Sequence, residues 1–227
     1  MRRVDPLPAL RDHGRALAVR VGVARDLGTA LADGLARQYD RWPRRYHDAR
    51  HLLACVRACE EVRRLVPEPE AVAFALWFHD AVYRPWRRDN EARSAAQAVV
   101  AARRWGLDPA FAARVRRLVE ATAHLGGEPA AAAAVDPATA WVLDIDLGIL
   151  GAPADAYERY ERDVRREYFF VAPARWRHGR AAVLRHFLDQ PRIFRTAHFQ
   201  GLLEARARQN LAGALARLEA TGDGERD

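Results

Sequence analysis

Apolar residues recur at spacings of three and four along almost the whole chain, and strictly alternating stretches are scarce. That period belongs to helices, and proline, glycine and Asx-type residues break it at intervals of roughly 15 to 20 residues, so the pattern predicts about nine helices. Leu10 to Tyr39 reads as one or two amphipathic helices ahead of the Trp42-Pro43 break. Between Asp48 and Leu65, the residues Leu52, Cys55, Val56, Cys59 and Val62 form one stripe. Pro69 opens the next helix at a first-turn position that tolerates proline. Ala71 to Phe78 is apolar nearly all round, so this helix should be central and buried. Asn90 to Trp105 follows and stops at Gly106, and Asp108-Pro109 caps and starts a helix through Leu118 to His124. Gly126 to Asp136 predicts a loop. Helices from Asp136-Pro137 through Leu150, Pro153 to Val171, Pro173 to Leu188 and about Ala197 to Leu218 complete the set. The expected fold is all-α, a single nonbundle domain. Its N-terminal helices, 1–40, pack on a core over 41–220, and a frayed, disordered tail covers 221–227.

Composition narrows the class. In 227 residues, 50% hydrophobic content is too much for a disordered chain. No apolar run approaches the roughly 18 residues a spanning helix needs, so no membrane role is expected. The start, Met1-Arg2-Arg3-Val4-Asp5-Pro6, lacks a secretory pattern. Cys55 and Cys59, four apart in a helical stripe, point to a reduced cytoplasmic protein rather than a disulfide scaffold. The formal charge of +7 could advertise nucleic acid. Every basic residue is arginine, however, and the arginines are scattered without a basic tail. That bias fits a GC-rich genome and a solvated surface better than a nucleic-acid face. Arginine still favours bidentate phosphate binding wherever it reaches a pocket.

Four of the eight histidines stand in suggestive contexts: His47, His51, His79 and His124. His47 and His51 are four apart, so both imidazoles share one helical face and can converge on a single centre, or can simply be a partly exposed pair. The zinc-protease pattern H-E-x-x-H fails here, because Asp48 replaces the glutamate and no third ligand follows at the expected spacing. His79-Asp80 ends a wholly apolar helix, where both are costly to bury unless something satisfies them. A divalent cation would do so, and nitrogen with carboxylate oxygen suits Mn, Fe, Co, Ni or Zn better than Ca. The alternative is a histidine hydrogen-bonded to its neighbours beside a capping Asp80. Asp144 and Asp146, two apart, cannot easily serve one ion from a helix. Asp146 shares the stronger apolar stripe and is the preferred ligand, with Asp144 in reserve.

In order, His51, His79-Asp80 and Asp146 resemble the H…HD…D signature of the HD superfamily of metal-dependent phosphohydrolases. The closest resemblance is to the branch known only as predicted HD phosphohydrolases. Local strings carry it: Arg45-x-His47-x-x-x-His51, Phe78-His79-Asp80-Ala81-Val82-Tyr83, Asp89-Asn90-Glu91-x-x-Ser94-Ala95, Thr122-x-His124 and Asp144-x-Asp146-Leu147-x-Ile149-Leu150. Arg166-Glu167-Tyr168 and Ala207-Arg208-x-Asn210-Leu211 are similar as well, so the likeness spans about Tyr39 to Leu218. It implies an HD-type helical domain with His51, His79, Asp80 and Asp146 holding a divalent ion (Mn, Fe, Co, Ni, Zn or Mg). The Tyr46-His47…His51 string is similar to that of cyclic-nucleotide phosphodiesterases, which implies His47 as general acid to the leaving oxygen.

The resemblance implies hydrolysis of a phosphate ester, with a nucleotide or related small phosphorylated molecule as substrate. Asp80 or Glu91 would orient the attacking water, and Arg45, if it points inward, would neutralise phosphoryl charge. His124, Asp144 and Asp89 are candidates for a supporting role or a second ion. Asp89-Asn90-Glu91 can equally be a helix start whose carboxylates meet the positive end of the dipole, and His124 a cation at a helix end. Arg166, Glu167, Tyr168, Arg208 and Asn210 are expected to form a buried polar network. Trp42, Trp77, Trp105 and Trp141 are expected in the core or at its rim. The alternative function is a non-catalytic sensor that binds a metal or nucleotide. The oligomeric state is open.

Overall fold

A computed structural model describes residues 5–123 and 135–223. Its described residues form ten α-helices and one 3-10 turn and contain no strand. The all-α class expected from the periodicity is what the structure shows, and a single domain fits it. Within it the chain groups into two compact units of continuous sequence, Met1–Ile145 and Asp146–Asp227. No helix among the described residues is long and apolar enough to cross a membrane.

The first unit contains α1 (Leu7–Arg20), α2 (Arg25–Tyr39), α3 (Ala49–Val62), α4 (Pro69–Phe78), α5 (Asn90–Arg104) and α6 (Pro109–Glu120), and α7 (Pro137–Asp146) leads out of it. The Leu10 to Tyr39 stretch is therefore two helices, which accounts for ten where about nine were expected. Helix α4 packs against α1, α3, α5 and α6. Every residue from Ala71 to Phe78 is buried, as an all-apolar helix requires. Burying an aromatic or aliphatic side chain such as Phe74 or Leu76 contributes about 1.5–3 kcal/mol, so this helix anchors the unit.

Helices α1 and α2 meet through glycine. A methyl group on Gly14 or on Gly28 would overlap the backbone carbonyl of the other, so only hydrogen permits this approach. A bidentate pair between Arg11 and Asp33, at 2.7 and 3.2 Å, spans the same two helices.

The second unit holds the 3-10 turn Leu147–Gly151, α8 (Ala154–Glu167), α9 (Pro173–Asp189) and α10 (Ala197–Asp223). The helix expected to run on to Leu150 instead ends at Asp146 and tightens into the 3-10 turn. Asn210 on α10 donates from its amide to the carbonyls of Leu150 and Ala152 at 2.8 and 2.9 Å, which satisfies the groups this ending leaves over. Helix α8 stops at Glu167 rather than at Val171, because Arg165 folds back to donate to the carbonyls of Tyr168 and Val171. Helix α10 runs through Asp223, into the segment expected to fray.

Members of the expected polar network make the following ties. Glu167 is fully buried and Asn210 pins the 3-10 turn, whereas Arg208 joins Glu204 and the carbonyls of Leu188, Gln190 and Pro191. Arg166 is exposed and pairs with Asp163 one turn back, so it belongs to no buried network. Trp77 and Trp141 are core residues, Trp105 is half-buried, and Trp42 lies 62% exposed.

Candidate metal centre

Asp48 sets the start of α3. Its extended backbone and its carboxylate, which accepts from the Arg50 and His51 amides at 2.8 and 3.4 Å, make it the N-cap. Thus Asp48 is occupied as a cap, and the zinc-protease reading fails on structure as on spacing. The cap fixes the phase of α3 so that His51, Cys55, Val56, Cys59 and Val62 form one buried face.

His79 enters from the other side, directly after the last turn of α4. Its Nδ1 lies 2.8 Å from the Leu76 carbonyl oxygen. A carbonyl can only accept, so Nδ1 carries a proton, and the ring when neutral presents its Nε2 lone pair. That Nε2 stands 3.0 Å from His51 Nε2 and 3.2 Å from Asp80 Oδ2, and the Asp80 oxygen is 3.6 Å from His51 Nε2. His51 and His79 are 6% and 1% exposed.

This arrangement has the chemistry of a cation site. A ring nitrogen whose partner nitrogen is tied to a backbone carbonyl is the usual form of a metal-binding histidine. Two nitrogens held about 2.0–2.1 Å from one ion are themselves about 3–3.4 Å apart, which matches the observed spacing. Two ring nitrogens and a carboxylate oxygen converge, and they need positive charge among them, whether a proton or a metal ion. An overlapping group comprises one ligand atom each from His51, Cys55, His79 and Asp146, the last residue of α7, and these atoms all lie within 4.8 Å of one another. Asp80 is not part of that group, yet its Oδ2 lies 3.2 Å from His79 Nε2 and 3.6 Å from His51 Nε2. Asp80 thus lies beside both histidines.

Other expected residues divide by position. His47 is half-buried and stacks on Tyr83, ring centroids 4.2 Å apart, with its ring 5.9 Å from that of His51. Asp144 is fully buried and Asp146 only half-buried. The burial argument that favoured Asp146 thus applies to Asp144, although Asp146 is the one in the donor cluster. Glu91 sits half-buried in the first turn of α5, outside that cluster. Asp89 does not cap α5 with its side chain. It pairs with Arg87 and Arg93 at the surface, and these hydrogen bonds hold its carboxyl well below the usual carboxylate range. Arg45 is exposed. His124 lies outside the described residues.

The neighbouring Arg44 is buried. It donates to the carbonyls of His47, Asp80 and Ala81, each at 2.8 Å, and its guanidinium lies over the Tyr39 ring. Tyr39 is fully buried, and its hydroxyl accepts from the Asp80 amide at 3.2 Å. Burial, with the Asp80 charge second, pushes its phenol well above the ordinary value, so it stays protonated. After Asp80 the chain is held by α5. Ser94 accepts from the Val82 amide at 2.9 Å, and Asn90 exchanges two hydrogen bonds with the Arg84 backbone. Sequence reasoning had no signal for Arg44, which stands beside an identical residue, or for Tyr39. For Cys55 a signal existed, namely its place one turn beyond His51.

Compared with protein-family models, curated proteins and solved structures, the chain matches none. What it can do is therefore argued from the centre itself: a helical protein with a His/Cys/His/Asp group, its histidines and cysteine buried, that could hold a metal ion.

Proposed function

We propose that this chain is a metal-dependent phosphohydrolase of the HD kind, cleaving a phosphate ester of a nucleotide or related small molecule. The observation that supports it most is the convergence of His51 Nε2, His79 Nε2 and Asp80 Oδ2 within 3.0 to 3.6 Å at the end of an apolar helix. These residues, with Asp146, are those that the H…HD…D resemblance assigns to the ion, and an all-helical chain is compatible with such a fold.

His51, His79, Asp80 and Asp146 would hold the divalent cation, which when bound lowers the pKa of water and polarises a phosphoryl oxygen. The chain's own groups supply the rest. His79 is oriented by the Leu76 carbonyl and Asp80 by its backbone contacts to Tyr39 and Arg44, so the donors are set before substrate arrives. Asp80, 17% exposed, reaches solvent and can orient a water molecule for in-line attack. His47, half-buried against Tyr83 with its ring 5.9 Å from that of His51, would protonate the departing oxygen.

The test is a panel of phosphate esters and nucleotides assayed with Mn, Co, Ni and Mg, using wild type and Asp80→Ala. Hydrolysis by the wild type should fall at least about 100-fold in the variant. Equal turnover by both proteins would exclude this mechanism. Nucleotide-induced thermal stabilisation without turnover would instead favour the sensor reading.

A further inference from the structure

The sulfur of Cys55 has no part in the H…HD…D pattern, yet it lies in the same donor group. Cys55 is one helical turn beyond His51 on α3, which brings its side chain onto the same face as the imidazole. It is 3% exposed, and its Sγ is 3.7 Å from His51 Nε2 and 3.8 Å from Nδ1. A thiolate at about 2.3 Å and an imidazole at about 2.0–2.1 Å on one tetrahedral ion put sulfur and nitrogen about 3.5 Å apart. The Sγ–Nε2 separation is close to that value, while the near-equal distance to Nδ1 sets the sulfur level with the middle of the ring, so ligation requires a χ1 rotation of Cys55 toward Nε2. Burial pushes the thiol of Cys59, one turn further along the stripe, up to about 12.

We propose that Cys55 is a sulfur ligand of the ion held by His51 and His79, and that the centre consequently selects a thiophilic ion of the Zn or Co class over Mg. This rests on the metal-holding part of the function proposed above and not on hydrolysis. Thiolate favours zinc and the later transition metals, whereas magnesium demands oxygen donors. A bland reading of Cys55, a small apolar side chain packed on a histidine, makes no such selection.

Full-length reduced protein titrated with Co(II) alone decides between them. A sulfur ligand produces a near-ultraviolet sulfur-to-cobalt charge-transfer band, beside the visible bands that report the ion in any ligand set. Wild type and Cys59→Ser should both show the charge-transfer band. Cys55→Ser should lose it, keep the visible bands and bind Zn at least about tenfold more weakly, with Mg binding unchanged. One equivalent of bound Co(II) in wild type without the charge-transfer band overturns the role of Cys55 and leaves the histidine site standing. Loss of the band in Cys59→Ser overturns the assignment to Cys55. No bound Co(II) at all overturns both this inference and the metal site beneath it. The wild-type spectrum is decisive whether or not Cys55→Ser folds.

Discussion

Arg44 shows how a residue outside the donor cluster shapes it. One guanidinium serves three carbonyls, one from the segment before α3 and two from the segment after α4, so the two strings that carry His47 and Asp80 are tied to a single side chain. Hydrogen bonds to a charged group contribute about 1.5–3 kcal/mol each, and buried carbonyls left without a donor cost a similar amount. Arg44→Met should therefore destabilise the protein by about 3 kcal/mol or more in denaturant unfolding. Arg44→Lys, which keeps the charge but loses the planar fork, should recover only part of it. Equal stability of wild type and Arg44→Met would show that the ties contribute little. The sequence could not single out Arg44 from Arg45, because identical neighbours differ only in which way the backbone turns them. His79-Asp80, by contrast, was legible, since two polar residues ending an apolar helix are a cost that calls for a partner.

Elements are positioned by devices of different kinds. Where α1 crosses α2 the device is the absence of a side chain. Gly28→Ala forces a methyl against the Gly14 carbonyl and should cost about 1–3 kcal/mol or split the pair, read as a fall in Tm. Gly34→Ala, at a glycine of α2 that faces open space, should cost nothing and provides the control. Nothing in the 3.6-residue period marks which glycine lies at a crossing.

Where α4, α6 and α7 begin or pass, the device is Arg114, which pairs with Glu68 just before α4 and with Asp136 just before α7. The hydrogen bond from Arg114 is the main cause that holds the Asp136 carboxyl below the usual carboxylate range. A carboxyl depressed in the folded state stabilises fully above its unfolded value of about 3.9 and loses that stabilisation as pH falls through the folded value. Asp136→Asn should thus lower Tm at neutral pH and flatten its decline below about pH 4. An unchanged acid limb would show that other carboxylates govern it.

For the molecule as a whole, the donors come from segments far apart in sequence, His51 on α3 and His79-Asp80 after α4, so the unfolded chain holds no such site. Metal binding is then linked to folding. A Zn or Co concentration of 100 times Kd should add about 2.7 kcal/mol of stability, and a chelator should remove it. His51→Ala and His79→Ala should show no such shift. A metal-induced rise in Tm that persists in both variants would place the ion elsewhere.

The sequence by itself determined the helical class and the buried α4, and it marked His51, His79 and Asp146 of the candidate group, because period and burial cost are local properties of the chain. It could not determine that Cys55 comes near His79 as well as His51, that Asp144 is the deeper aspartate, or that Arg44 rather than Arg45 is buried. Those depend on the rotation of one helix against another and on the path of the segments between them. Packing sets such quantities, and no periodicity encodes them.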